Sequence, residues 1–347
     1  MWRAIAVPGH PLDACDEGHL RAIARRLSFY SSPSMAAWLL GPIEARLPGL
    51  VPAADVERAR QFDRFLRARA RTEIARIAAA GIDVLPLKGF ATATRFYPDP
   101  LIRTMGDIDL LVRPRDLGRL CDLLEGAGYR FMRSKGTPAW GLAGESSFHP
   151  LVSADGALNI DLHVAPDDYP LARALDAEEA FRRAATTEEN GVPLALPCDD
   201  HLVLLAMTHA ARDKFDEASM RSIVDLVAAL ALKGVRPDWN ALGVLARRGG
   251  FLRAVRAAAG LLAALGVGGL PPSLLPRYRG PSRAAFDAMV ADVLTVFPVP
   301  PSKWRKQWRD WLTISGPRTL LHRNMRRLRG LVRPWTGLPP GRHFGAD

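Results

Sequence analysis

Gly106-Asp107-Ile108-Asp109-Leu110-Leu111-Val112 begins with two acidic side chains and ends in an unbroken apolar run. That is the pattern of a buried β-strand with polar chemistry at its mouth. Strand residues two apart share a face, so Asp107 and Asp109 are expected to point the same way while Ile108 faces the core. Adjacent carboxylates repel and raise each other's pKa unless a cation lies between them. A hard divalent ion with a preference for oxygen ligands relieves that repulsion. A third carboxylate is available in Asn159-Ile160-Asp161-Leu162-His163. Its strand follows Ala154-Asp155-Gly156, a tight-turn signal that predicts a hairpin between Phe148–Ser153 and Ala157–Val164. Three carboxylates around divalent ions suit phosphoryl transfer, where charge on the attacking and leaving oxygens must be offset.

Outward from this strand the pattern is mixed. Gly81 ends a long Arg/Ala-rich helical stretch, Ala54 to Ala80. Ile82 to Leu87 then reads as a short strand closed by Lys88-Gly89, with a short helix beginning near Phe90 and a loop at Tyr97 to Pro100. On the other side, Pro114-Arg115-Asp116 starts a helix that runs to Gly126, and Tyr129 to Met132 reads as a strand. From Leu171 onward helical periodicity takes over, at Asp199–Arg212, Ser219–Leu232, Trp239–Arg248, Leu252–Leu265 and near Arg283–Val296. The expected class is α+β, a small mixed sheet flanked by N-terminal helices and a C-terminal helical region. The expected divisions are 1–75 (helical), 76–170 (sheet core), 171–297 (helical) and 298–347 (basic tail).

The ordered series Leu85-Pro86-Leu87-Lys88-Gly89, Arg103, Asp107-Ile108-Asp109, Gly128-Tyr129 and Asp161-Leu162-His163 resembles a family of uncharacterised bacterial nucleotidyltransferases with the polymerase-β-type fold. The resemblance covers roughly residues 60–230. It implies a nucleotidyl-transfer site in which Asp107, Asp109 and Asp161 hold Mg²⁺ or Mn²⁺ and act as the catalytic carboxylates. It further implies that an NTP binds at Gly89, where backbone N–H groups approach the triphosphate, with Lys88 and Arg103 offsetting phosphate charge. Related enzymes use a lysine of the helical domain at the nucleotide, and Lys214 is the candidate here, against the alternative of a solvated surface lysine. The sequence departs from better-known members of the superfamily, which carry a Gly-Ser pair nearer the carboxylates. Here Lys88-Gly89 lacks the serine and Gly89 lies eighteen residues before Asp107.

Composition bounds the rest. The chain has 347 residues, 48% of them hydrophobic and 24% charged, enough to build a core without disulfides. Cys15, Cys121 and Cys198 are scattered and form no metal-ligand pair, as expected of a reducing, cytoplasmic setting. The N-terminus has no signal-peptide pattern. The longest uncharged apolar run, Ala257 to Leu270, has fourteen residues, short of the ~20 a transmembrane helix needs, and reads as a buried helix. Charge is uneven: residues 303–347 carry eleven Lys/Arg against two Asp, a net +9 of the chain's +11. Trp304, Trp308 and Trp311 fall on one helical face in that basic segment. Such a face packs on the body, lies on an anionic membrane surface, or meets nucleic acid, and the pattern is compatible with all three.

Secondary candidates remain. His163 shares the expected face of Asp161. His201 and His209 lack HExxH spacing, which excludes a zinc-protease motif. Asp225 sits in an apolar helix and needs a partner, with Arg221 one turn away the nearest. Function classes that stay open are transfer of an NMP to an acceptor hydroxyl (RNA 3′ end, protein or small molecule), a nucleotide-sugar glycosyltransferase using Asp-x-Asp, and a non-catalytic binding module of the same fold.

Overall fold

The computed structural model describes residue 2 and residues 16–44, 47–132, 146–148, 150–168, 171–189 and 191–314. Two helices, α1 (Glu17–Tyr30) and α2 (Pro33–Glu44), precede the long α3 (Ala53–Ala79). Asp16 caps α1 by accepting from the His19 N–H at 2.9 Å. The chain then enters a mixed five-stranded sheet in the order β1-β2-β5-β4-β3. Its strands are β1 (Val84–Pro86), β2 (Ile108–Val112), β3 (Arg130–Phe131), β4 (Leu151–Val152) and β5 (Asn159–His163). Helix α4 (Lys88–Phe96) follows β1, and α5 (Leu117–Gly126) joins β2 to β3.

The pairing is antiparallel except between β2 and β5, which run parallel at the centre. The expected hairpin forms as β4–β5, with Gly156 at φ +69° where the turn needs a left-handed residue. Strand β2 begins at Ile108, so Asp107 precedes the strand instead of opening it.

Helical structure does not hold without interruption after Leu171, contrary to the sequence expectation. After α6 (Ala177–Arg182), strands β6 (Ala185–Glu189) and β7 (Val192–Leu196) form an antiparallel hairpin. Gly191, just before β7, has φ +78°, and the sequence there reads Asn190-Gly191. Asn-Gly is the strongest short hairpin signal, but β6 is rich in Thr and Glu and shows no apolar alternation. The hairpin brings Glu189 against α3, where it accepts from Arg67 at 2.6 Å and Arg71 at 2.8 Å.

Six further α-helices follow among the described residues: α7 (Asp199–Arg212), α8 (Met220–Val227), α9 (Trp239–Gly249), α10 (Leu252–Ala264), α11 (Gly280–Leu294) and α12 (Lys303–Thr313). Helices α7 and α10 are buried on most faces, consistent with their apolar composition. The run expected from Ala257 to Leu270 ends as a helix at Ala264. Among the described residues no helix is long and apolar enough to cross a membrane. The N- and C-terminal parts are tied together: Trp2 donates to the Val293 carbonyl, and Arg26 to those of Thr295 and Val296. The remaining basic tail, residues 315–347, and the N-terminal stretch 3–15 lie outside the described residues.

Candidate active site

Parallel pairing of β2 with β5 sets Asp109 opposite Asp161 and Leu111 opposite His163. These four side chains therefore share one face of the sheet. The alternate set, Ile108, Leu110, Ile160 and Leu162, is wholly buried on the other face and anchors the two strands. Asp109 is buried, Asp161 half-buried, and Asp107 exposed at the rim of the same pocket.

Lys88 closes the cluster from the start of α4. Its Nζ lies 2.5 Å from Asp109 Oδ1 and 3.5 Å from His163 Nε2, while His163 Nε2 lies 2.9 Å from Asp109 Oδ1. Lys88 adopts φ +42°, a left-handed conformation that costs a non-glycine residue on the order of 1 kcal/mol. The backbone beside it is held by the Leu87 N–H, which donates to the Asp109 carbonyl at 2.8 Å. The strained residue thus sits where β1, β2 and α4 converge, and its amine is the cation beside the two strand carboxylates.

The electrostatics separate the acids. Burial pushes Asp109 up, but the Lys88 charge and the His163 bond outweigh it and hold its carboxyl well below the usual range. Burial, then the charges of Asp109 and Asp107, push Asp161 up to about 6. Asp107 is raised as well, by desolvation and the Asp109 charge. Asp161 Oδ1 is buried without a hydrogen-bond partner, as is His163 Nδ1. Buried polar atoms are almost always satisfied, so an orphaned carboxylate oxygen beside a second carboxylate is a fit for a cation. Asp109, Asp161 and His163 each offer one atom within 4.8 Å of the others, close enough for one ion to bridge. Two oxygens and an imidazole nitrogen suit Mn²⁺ or another transition divalent ion; Mg²⁺ prefers oxygen throughout, which Asp107 at the rim could extend.

Further lining of the pocket comes from α7, the 217–219 turn and α8, through His209, Ala218, Arg221 and Ser222. His209 Nδ1 is 3.0 Å from Ser222 Oγ and 3.5 Å from Asp213, and burial lowers its pKa to about 4, so the ring is neutral near pH 7. His201 is buried in α7 with neither ring nitrogen bonded, and burial takes it to about 4 as well.

Of the residues expected at the nucleotide, Lys88, Gly89 and Arg103 line the pocket and Lys214 does not. Gly89 lines the pocket, and a Cβ built on it would stand 3.5 Å from an Arg103 amino nitrogen, ordinary van der Waals contact. Arg103 also lines the pocket, but its fork is engaged: Nε and Nη2 reach the two oxygens of Asp225 at 2.8 and 3.0 Å. The Tyr97 hydroxyl donates to the same carboxylate at 2.7 Å. Asp225 therefore has Arg103 and Tyr97 as partners, not the neighbouring Arg221 that helical spacing suggested. Lys214 is not among the pocket-lining residues; its amine lies 3.5 Å from Asp310 on α12.

Arg221 is the residue that sequence reasoning cast in the wrong part. Its Nε donates to the Ser31 carbonyl at 3.1 Å, and among the described residues no carboxylate forms an ion pair with it. Burial and the nearby Arg103 charge lower its pKa, with Asp107 acting in the opposite direction. The available signal was Arg221-Ser222 followed by Asp225, polar residues recurring on one face of an otherwise apolar helix.

With this geometry in place, comparison with known proteins gives one result: a family model described as an uncharacterised nucleotidyltransferase matches residues 49–266, well over half of the chain. No curated protein and no solved structure matches.

Proposed function

The chain belongs to this nucleotidyltransferase family, and from that premise we propose that it moves a nucleoside monophosphate from an NTP to an acceptor hydroxyl. The hydroxyl oxygen bonds to the α-phosphorus, the bond from that phosphorus to the bridging oxygen breaks, pyrophosphate leaves with the bond electrons, and the hydroxyl proton passes to a site carboxylate. Asp161 is the best placed to take it, because one of its oxygens has no hydrogen-bond partner whereas Asp109 is engaged by Lys88 and His163. The observation that carries the reading is the in-register pair Asp109 and Asp161 with an unpartnered Asp161 oxygen.

A divalent ion, Mg²⁺ or Mn²⁺, held by Asp109 and Asp161 with His163 or Asp107 completing the set, would lower the hydroxyl pKa and offset charge on the leaving pyrophosphate. Lys88 supplies a fixed positive charge on the same wall. Gly89, second residue of α4, presents an N–H of the first turn, where helices leave donors without intrahelical partners. Arg103 lines the pocket and is held by Asp225, and Arg221 is a lining guanidinium without a carboxylate partner among the described residues. We assign the triphosphate to the space between Lys88 and Arg221. The cavity measures about 230 Å³, below the ~300–1,000 Å³ of typical ligand pockets, so it suits the reacting phosphates more than a whole nucleotide.

A nucleotide-sugar transferase is less compatible with this sheet. Such folds build their Asp-x-Asp after several parallel βα units, whereas here only β1 precedes β2 among the described strands, and it runs antiparallel. The test is incubation of the full chain with each α-labelled NTP and Mg²⁺ or Mn²⁺, with RNA, protein and small-molecule acceptors scored for label. Labelled product with release of pyrophosphate supports the reading; nucleotide-sugar turnover without NTP transfer overturns it.

A further inference from the structure

Among the described residues, helix α12 is fastened to the body by one face. Arg309 on that face bonds Asp292 and donates to the Phe215 carbonyl, Leu312 is fully buried, and Lys306 pairs with Asp216 and Glu217 at 2.7 and 2.8 Å. The opposite face carries Trp304, Trp308 and Trp311, which are 73%, 51% and 68% exposed. The packing reading of this aromatic stripe is therefore not the one the structure adopts: the face that packs is the one with Arg309 and Leu312. Beside the tryptophans, Val299 is 70% exposed, and Trp308 borders an apolar groove with Ala284, Ala285 and Ala288 of α11. Three indoles on one outward face form an apolar patch of a kind that soluble chains rarely leave uncovered.

We propose that this face docks on an anionic lipid surface, with α12 lying in the plane of the interface. Tryptophan favours the headgroup level, where the ring is buried and the N–H stays hydrated. The charge needed for anionic lipids is also present. Lys303 opens the helix, and residues 315–347 add seven arginines against one aspartate. Apolar insertion plus polybasic charge is the pair of signals that holds a peripheral protein on such a membrane. Nucleic acid is the weaker match, because it requires free cations interleaved with the rings. On α12 three of the four cations are already engaged by the protein: Lys306 with Asp216 and Glu217, Arg309 and Arg305 with Asp292. The inference stands independently of nucleotidyl transfer. It also bears on the pocket, since Lys306 and Arg309 bind α12 to the 213–219 segment, whose Ala218 lines the pocket wall.

The experiment is co-sedimentation of the full-length protein with phosphatidylcholine vesicles, with and without phosphatidylserine, alongside a W304S/W308S/W311S variant. Binding is expected to need phosphatidylserine, to weaken with salt, and to fall about tenfold or more in the variant. Tryptophan emission of the wild type is expected to be quenched by brominated-chain lipids in the anionic vesicles. The substituted side chains are exposed, and unchanged far-UV dichroism and melting will show that the variant is folded; if it is not, quenching in the wild type decides alone. Equal sedimentation of a folded variant, or no quenching, overturns the proposal. So does a tryptophan-dependent RNA gel shift, or a tryptophan-dependent dimer, without vesicle binding.

Discussion

Asp109 and Asp161 are direct partners across the parallel β2–β5 ladder, yet their surroundings drive the two carboxyls in opposite directions. Lys88 and His163 both approach Asp109, while Asp161 has an oxygen that nothing bonds. One acid already has cationic and imidazole partners in the protein; the other keeps a buried oxygen without one.

Replacing Asp109 with Asn removes the charge that Lys88 and His163 share. Metal-dependent transfer is expected to fall by roughly 100-fold or more, with the far-UV dichroism unchanged because the side chains are nearly isosteric. A rate near wild type would place the chemistry elsewhere.

Asp161→Asn is expected to stabilise the metal-free protein. The folded-state pKa of Asp161 is about 6 against an ordinary 3.8, so the folded state holds a proton that the unfolded chain has lost. Stability therefore declines as pH rises through this window, and the penalty is complete above about pH 6. The Asn variant escapes it. In the presence of chelator at neutral pH the variant should be more stable by about 1–3 kcal/mol, with the difference vanishing below about pH 4. Adding Mn²⁺ should stabilise the wild type more than the variant. Denaturant melts across pH check this; parallel curves for the two proteins would remove the cation-site argument.

Arg103→Met is expected to destabilise the fold by roughly 3–5 kcal/mol, because Asp225 would be left buried with only Tyr97 as partner. Asp225→Asn should cost less, and the double variant less than the sum of the two. Urea unfolding of the set measures the coupling. A stable Arg103→Met protein with impaired NTP affinity would give Arg103 a direct phosphate role instead.

Arg221→Gln is expected to raise the KM for NTP roughly tenfold, with kcat within a few-fold of wild type and little change in melting. Its guanidinium has no carboxylate partner among the described residues, so its loss strands no buried anion. An unchanged KM would remove Arg221 from the phosphate site.

The faces on which Asp109 and Asp161 lie were legible in sequence for a local reason. Period-two alternation fixes which residues of one strand share a face, and Asp155-Gly156 fixes the turn that returns the chain as β5. Those two facts set the face each acid occupies on its own strand; that Asp109 and Asp161 meet depends on the parallel pairing of β2 with β5, a long-range contact that neither local signal contains. The β6–β7 hairpin was legible too, in Asn190-Gly191, but its Thr- and Glu-rich strand lacks the apolar alternation that draws attention to a strand. The partners of the cations belong to another category. Arg103 and Asp225 stand 122 residues apart, and Lys88 and Asp109 are joined by the bend between β1 and α4. Charge pairs across such distances depend on which helix packs against which sheet face, and any arginine within reach of a buried carboxylate satisfies the same local pattern. Arg221 is one turn from Asp225 and lost to Arg103 because Arg103 projects from the sheet side into the α8 face, while Arg221 turns toward Ser31 and the pocket. Sequence periodicity located the acids; the bend into α4 gave Asp109 its cation, and the packing of α8 against the Arg103 segment gave Asp225 its own.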